Sequence, residues 1–383
     1  MKWNSGQIKS AIGRWKARRL RDNFTGAAVL LFLCAAWALL AFPKEVQSSV
    51  KNSILYCLTV LAPSLFPFLA LTSFAMYSGA GDILGNRLGF LTRYVFRLPA
   101  ACAVPIFMSF VGGYPAGAKG AELLLRQGKI TKEQAGRMML FCVNPGIAFV
   151  VTFLGGAVLG SFRVGWLLFF SVTASGVLLG LFSGLFSPVP PKENGMPEKP
   201  QGDALIRSAA DASSSVMKMC GCIVLFAGIS ALLHCCGAFQ FCSRLLASSG
   251  LFTPMESSAL VSFLLEVTEG VGAASKLRVS PPFFAFGLAF GGFCVHLQVF
   301  SVFGKFPAKK WIFYVFRFLH GIAAAGCYLL LIRLLPSDPV TALAPAGAVQ
   351  NIAALSGTAA GGLSLLLMCM AFLVISTKEE KIE

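Results

Sequence analysis

Charged residues are scarce in this chain, and their scarcity limits the kind of protein it can be. Asp, Glu, Lys and Arg make up 13% of the 383 residues, whereas hydrophobic residues make up 56%. An ordinary soluble domain carries about 25% charged residues, so that class is excluded. The apolar residues gather in stretches of roughly 20, which is the length of a helix that crosses a bilayer. The composition therefore predicts an all-α polytopic membrane protein.

Motifs for catalysis and nucleotide binding are missing as well. The chain contains no G-x-S-x-G, H-E-x-x-H or G-x-x-x-x-G-K-[ST] sequence, which argues against an enzyme and against transport driven by ATP. It has three histidines, and its Cys and His residues do not form paired ligand sets at zinc spacing. We therefore predict no catalytic residues, no metal site and no cofactor.

Acidic residues are few, numbering 16 against 32 basic ones, which gives a formal net charge of +16. The basic residues are spread through the short loops between apolar stretches, and most fall in loops that the positive-inside rule assigns to the cytoplasm. We therefore predict no nucleic-acid partner, and an N-terminus and C-terminus that are both cytoplasmic. The basic residues before the first apolar stretch indicate an uncleaved first span rather than a removed signal peptide.

The alternation of apolar and polar stretches divides the chain into six segments. Eight stretches are predicted to cross the membrane: 24–42, 54–77, 138–160, 163–186, 213–236, 282–304, 311–335 and 359–376. The predicted segments are a cytoplasmic basic N-terminus (1–22), a first span and connection (23–53), a first repeat (54–187), a cytoplasmic Pro-rich linker (188–204), a second repeat (205–335), and a loop, last span and cytoplasmic tail (336–383).

Two further apolar stretches are too short to cross a bilayer. The first, 100–111, ends at Gly112-Gly113-Tyr114-Pro115, and the second, 255–265, ends at Glu266-Val267-Thr268-Glu269-Gly270. Non-helical backbone at membrane depth persists only where protein covers it or where it lines a cavity. Each short stretch is therefore predicted to be one arm of a re-entrant hairpin.

Two of the predicted spans contain residues that interrupt a helix. Asn144-Pro145-Gly146 lies inside 138–160, where proline lacks an amide donor, and Gly291-Gly292 lies inside 282–304. Gly112 and Asn144 are separated by the same number of residues as Glu266 and Gln298. The pattern predicts about eight transmembrane helices plus two re-entrant hairpins in two inverted-topology repeats, a plan that is typical of secondary transporters.

If the four breaks meet inside the membrane, their free helix ends form a polar site. The predicted substrate-binding residues lie at or beside a break: Gly112, Gly113, Tyr114, Pro115, Lys119, Asn144, Thr268 and Gln298. The predicted ion- or proton-coupling residues are Glu266, Glu269 and His296, because charge at this depth costs at least about 2–3 kcal/mol per residue without a use. Three alternatives stay open: Lys119 extends to the cytoplasmic surface, the two glutamates lie in an extracellular loop, or His296 is a packed neutral residue.

The segment Gly113-Tyr114-Pro115-Ala116-Gly117-Ala118-Lys119, followed by Asn144-Pro145, resembles the YlbJ family of sporulation integral membrane proteins. The resemblance extends from about Pro63 to Leu335 and is weaker in the second repeat. It implies a nucleoside-recognition Gate domain, which is distantly related to concentrative nucleoside transporters. It also implies an integral protein of the cell membrane or outer forespore membrane that moves dipicolinic acid from the mother cell during sporulation.

Dipicolinate is a small aromatic dianion, and Lys119 together with helix N-termini supplies the positive potential that an organic anion needs. Two glutamates oppose such a ligand unless they are protonated or bind a cation. Two alternatives therefore stay open: a nucleoside or nucleobase transporter, and a non-transporting membrane scaffold for spore cortex or envelope assembly. The expected partners are the small-molecule substrate, membrane lipid and other sporulation membrane proteins, and a homo-oligomer is left open.

Overall fold

The computed structural model describes residues 29, 32–190 and 202–335, and within them the chain is helical and contains no strand. The prediction of an all-α polytopic membrane protein is confirmed. Five of the described helices are long and apolar enough to cross a membrane, or six if one bent pair is counted as a span. The five are Pro43–Tyr77, Phe162–Leu185, Ala204–Cys235, Pro281–Val302 and Lys310–Leu334.

Three of the eight predicted crossings are not among these five. Stretch 24–42 is described as a shorter helix, Phe32–Ala41. Stretch 138–160 is divided by its break into two short helices, so that neither has the length of a span. Stretch 359–376 lies outside the described residues, as do the predicted cytoplasmic N-terminus and most of the Pro-rich linker.

The helices are numbered in chain order. They are α1 (Phe32–Ala41), α2 (Pro43–Tyr56), α3 (Ala62–Tyr77), α4 (Ala80–Leu91), α5 (Ala103–Val111), α6 (Tyr114–Arg126), α7 (Lys132–Phe141), α8 (Phe162–Leu185), α9 (Ala204–Cys235), α10 (Ala238–Ala247), α11 (Pro254–Leu265), α12 (Val267–Lys276), α13 (Pro281–Phe290), α14 (Gly292–Val302) and α15 (Lys310–Leu334). Shorter π-helical turns join α2 to α3 at Cys57–Leu61 and extend α4 through Thr92–Phe96, and an 11-residue π-helix, Ala148–Val158, precedes α8.

All four predicted breaks interrupt helices. In the first repeat, Gly112 and Gly113 separate α5 from α6, and a non-helical segment follows α7 at Cys142. In the second repeat, an extended Glu266 separates α11 from α12, and Gly291 separates α13 from α14. The φ angles of Gly113 and Gly291 are +91° and +88°, a conformation that a residue with a Cβ rarely adopts.

The approach to the first hairpin bends sharply. The helix Arg87–Phe96 meets Ala100–Val111 at 98°, and Arg97, with φ of +49°, ends the first of the two. The Arg97 guanidinium donates to the backbone carbonyls of Leu185 and Ser187, while the Arg137 guanidinium donates to the carbonyl of Arg97. These bonds tie the bend to the end of α8 and to α7.

The open ends of the two hairpins lie toward opposite ends of α15. Helix α13 runs antiparallel to α15, because Phe286 contacts Gly321 while Phe290 contacts Arg317. Helix α12 ends just before α13 begins, so it lies toward the C-terminal end of α15. Helix α7 follows the first hairpin, and its Gly136 lies against Pro307, just before α15 begins. Hairpins that open at opposite ends are what inverted insertion requires.

Candidate functional site

The tip of the first hairpin packs directly on the first broken span. A Cβ placed on Gly146 would lie 3.0 Å from the Val111 carbonyl oxygen and 3.1 Å from the Gly113 nitrogen. One turn further along α6, a Cβ on Gly117 would lie 2.1 Å from the Cys142 carbonyl oxygen. Gly117 therefore allows a backbone approach that a Cβ would prevent, and Gly146 allows one that is tighter than most Cβ contacts.

The same hairpin tip contacts the second repeat. The Tyr114 hydroxyl donates to the Leu288 carbonyl oxygen over 2.7 Å. That carbonyl lies in the last turn of α13, where no following helical turn supplies a donor. Tyr114 thus connects the start of α6 to the end of α13, although the two are far apart in sequence.

The second broken span in turn packs on the tip of the second hairpin. A Cβ on Gly292 would lie 2.8 Å from the Phe263 carbonyl oxygen and 3.3 Å from the Glu266 Cα atom. The four breaks therefore form a continuous series of contacts. The first broken span contacts the tip of the first hairpin, the tip of the first hairpin contacts the second broken span, and the second broken span contacts the tip of the second hairpin.

Glu266 forms the N-terminal cap of α12, and Thr268 in the first turn hydrogen-bonds to it. Glu266 is buried, and its carboxylate accepts from the Glu269 backbone N–H over 2.8 Å and from the Thr268 hydroxyl over 3.1 Å. A carboxylate at a helix N-terminus is stabilised by the free amides and by the helix dipole. Glu269 lies further out, where it accepts from the Ser230 hydroxyl at 2.6 Å and lies 3.6 Å from His234 Nε2.

Lys119 points into a cavity of about 190 Å³ between α6, α9 and α14. Its ammonium group lies 3.3 Å from Glu122 and 3.4 Å from Asp211, and its side chain is 12% exposed. Asp211 also accepts from the Tyr77 hydroxyl over 2.6 Å. Lys119 is therefore a paired, mostly buried cation in the lining of the cavity.

The cavity brings together three of the predicted substrate-binding residues, Pro115, Lys119 and Gln298. Gln298 is buried and donates to the Cys294 sulfur over 3.3 Å. The other lining residues come mainly from α9 and from the ends of α6 and α14: Glu122, Arg126, Asp211, Ser214, Ser215, Lys218, Met219, Ser301 and Val302. Glu266, Thr268, Glu269 and His296 are not part of this lining.

Gly112 and Asn144 are buried at their breaks. A Cβ on Gly112 would lie 3.0 Å from both the Phe68 and the Ala116 Cβ atoms, so this glycine permits close packing at the end of α5. The Asn144 amide donates to the Phe141 carbonyl over 2.7 Å, which satisfies one of the carbonyls freed at the end of α7. Its own carbonyl oxygen is buried and has no protein partner.

His296 is enclosed by aromatic rings. Its Nε2 atom lies 2.8 Å from the Phe290 carbonyl oxygen, so this nitrogen carries the proton and donates it. The rings of Phe290, Phe313 and Tyr314 lie within contact distance of the imidazole. This environment is that of a packed neutral histidine, which is one of the alternatives given in the sequence analysis.

Two basic side chains near these breaks were not among the predicted site residues. Arg317 in α15 is fully buried, and its Nε and Nη2 atoms donate to the carbonyls of Phe290 and Ala289, the last two residues of α13. His320, one turn further on, bonds the Val172 carbonyl of α8 over 3.0 Å. The signal for Arg317 was a charge inside an apolar span, the same signal that selected Lys119.

In the part of the chain that the structure describes, no group of three or more His, Cys, Asp or Glu side chains is placed to hold a metal ion. No protein-family model matches the chain, and no solved structure matches it either. Among known proteins, it is similar to the sporulation integral membrane protein YlbJ of Bacillus subtilis (strain 168), with 24% identity over 339 residues, which cover 80% of this chain and 81% of the relative. The comparison confirms the predicted resemblance to the sporulation integral membrane protein YlbJ, and together with the long apolar helices it identifies the chain as an integral membrane protein.

Proposed function

We propose that this protein is a membrane transporter of a small organic anion, and that the anion is dipicolinic acid moved from the mother cell across the outer forespore membrane during sporulation. The observation that carries this proposal is the series of contacts among the four helix breaks of both repeats. Secondary transporters often form their substrate site from broken helices that meet within the membrane, where the free helix ends bind the substrate. The relative's name, a sporulation integral membrane protein, supports the cellular setting.

The cavity lies beside the first of these breaks, because Pro115 lines it. It is bounded by α6 along most of its length, by the C-terminal part of α14 and by the N-terminal half of α9. The positive-inside rule places the end of α6, the end of α14 and the start of α9 toward the cytoplasm. Lys119, Lys218 and Arg126 outnumber Glu122 and Asp211 in its lining. A basic entrance raises the local concentration of an anion. The proposal therefore has both termini in the cytoplasm and the cavity as the entrance on that side.

A nucleoside is the second candidate substrate, and the cavity lining favours it in one respect. Ser214, Ser215, Ser301 and Gln298 offer neutral hydrogen-bonding groups, and Asp211 offers a carboxylate that accepts from sugar hydroxyls. These groups suit a neutral, hydroxyl-rich ligand. The predicted Gate domain would also be in keeping with such a substrate.

Flux measurements on purified protein in lipid vesicles distinguish these functions. Uptake of dipicolinate and of uridine would be measured for the wild type, for Lys119→Ala and for Lys132→Ala, a control in which the lysine is exposed at the start of α7. Anion transport predicts saturable dipicolinate uptake that Lys119→Ala reduces and Lys132→Ala does not. Faster uridine uptake would favour the nucleoside alternative. Equal, unsaturable leakage of both solutes would leave the scaffold alternative and contradict transport.

A further inference from the structure

Arg317 is a buried cation whose charge is not balanced by a carboxylate. Its side chain has no exposed surface, and among the described residues no Asp or Glu lies within ion-pair distance of it. Lys119, by contrast, has two carboxylates within 3.4 Å. A guanidinium removed from water is costly unless an opposite charge or a full set of hydrogen bonds compensates it.

The backbone partners of Arg317 compensate it only in part. Two of its nitrogens donate to the carbonyls of Ala289 and Phe290, which Gly291 frees by ending α13. The third nitrogen, Nη1, is buried and has no hydrogen-bond partner. Capping α13 thus accounts for the Nε and Nη2 atoms of Arg317. It does not account for the Nη1 atom, nor for the presence of a charged side chain where a neutral donor would cap the helix.

The surroundings of Arg317 add positive potential. Helix α14 begins at Gly292, immediately after the carbonyls that Arg317 binds, and it has no side-chain cap. Helix α6 begins at Tyr114, which has no cap either and which contacts Leu288 beside them. Helix α12, which also begins at a break, is capped by Glu266. The two N-termini near Arg317 therefore have no side-chain acceptor, and the positive end of a helix dipole favours an anion.

We propose that Arg317 binds a carboxylate of the transported anion at the point where the breaks of the two repeats meet. This inference rests on the proposed function and names the residue that supplies the fixed positive charge. The guanidinium fork of arginine matches a carboxylate, and Nη1 is the donor that remains for it. Because Arg317 is enclosed by protein, the anion reaches it in a state in which Tyr114 has moved away from Leu288. Lys119 then attracts the anion at the cytoplasmic entrance, and Arg317 binds it at the substrate site.

The test compares a charged and an uncharged ligand of the same shape. Binding of dipicolinate and of its neutral diamide, pyridine-2,6-dicarboxamide, would be measured by calorimetry on purified protein in detergent. The proteins are the wild type, Arg317→Gln, Arg317→Lys and Arg333→Gln, the last being a control at the far end of the same helix. The wild type and Arg333→Gln should bind dipicolinate at least about 30-fold more tightly than the diamide. This is the loss in affinity expected when one partner of a buried charge pair is removed. Arg317→Gln should lose that preference, and Arg317→Lys should keep a weaker one.

The outcomes separate this inference from the proposed function. If the wild type binds neither compound and transports no dipicolinate, the proposed function fails. If the wild type prefers dipicolinate and Arg317→Gln keeps the full preference, Arg317 is only a cap of α13 and the inference fails. If Arg317→Gln does not fold, Arg317→Lys carries the test, because wild-type affinity in that variant would show that the guanidinium fork makes no contact with the ligand.

Discussion

Substituting Gly117 tests whether the first hairpin truly packs on the first broken span. Gly117 lies in α6 and faces the break that follows α7. A Cβ at this position would lie 2.1 Å from the Cys142 carbonyl oxygen and 2.6 Å from the Ser109 Cβ atom. Real Cβ atoms essentially never come within 3.0 Å of another heavy atom. Gly117→Ala therefore requires the backbone of α6 or of the break to move.

Two opposing effects set the size of the change. Alanine is preferred over glycine inside a helix by about 1 kcal/mol, whereas forcing an extra methyl group into a packed interior typically costs about 1–3 kcal/mol and occasionally more. The oxygen that clashes with the new methyl group belongs to the backbone, so it cannot rotate away and the cost lies at the upper end. We expect a net destabilisation of about 2 kcal/mol.

Gly272→Ala in α12 is the matched control. Gly272 lies in the corresponding helix of the second hairpin, and apart from its own helix backbone and chain neighbours no heavy atom lies within 4 Å of the position that its Cβ would take. We expect this substitution to leave stability unchanged or to raise it by up to about 1 kcal/mol. The stability of both variants would be measured by heating the purified proteins in detergent and quantifying the remaining folded protein by size-exclusion chromatography. A Gly117→Ala protein that melts at or above the wild-type temperature would refute the close packing of hairpin and break.

Two further substitutions test the contacts that join the repeats. Tyr114→Phe removes the hydrogen bond to Leu288, so we expect a loss of about 0.5–1.5 kcal/mol in unfolding free energy; an unchanged melting temperature would show that this bond does not stabilise the contact between the two segments. Glu266→Ala removes the cap of α12, and we expect a loss of about 0.5–2 kcal/mol in a thermal melt. Glu266→Gln keeps an acceptor oxygen and should lose less, so an equal loss in both variants would argue against capping.

The helix breaks could be predicted from sequence because few residues end a helix inside an apolar stretch. Gly113, Asn144, Glu266 and Gly291 each combine a helix-breaking backbone or polar group with apolar neighbours, and the structure interrupts helices at or beside all four. The number of spans was harder to predict. Hydropathy is averaged over a window of residues, so it does not reveal a short non-helical segment within an apolar stretch. Here the chain is non-helical around Asn144 and continues as a π-helix of 11 residues.

The cavity and the buried arginine could not be derived from sequence, because both depend on contacts between distant segments. Asp211 falls just outside the predicted span 213–236, yet α9 begins at Ala204 and carries Asp211 inside the helix, where it faces Lys119. Arg317 has the same sequence signature whether it extends to the membrane surface or caps another helix. Only the position of α13 against α15 distinguishes the two, and that packing is not encoded in local periodicity.

Side-specific labelling of single cysteines tests most directly the central claim that two hairpins enter from opposite faces and meet inside the membrane. Lys132→Cys follows the first hairpin and Lys276→Cys ends the second, and both lysines are exposed; each would be introduced after the native cysteines have been replaced. We predict that a membrane-impermeant maleimide labels Lys132→Cys only from the cytoplasmic face and Lys276→Cys only from the opposite face. Labelling of both positions from one and the same face would contradict the inverted arrangement and, with it, the transport site.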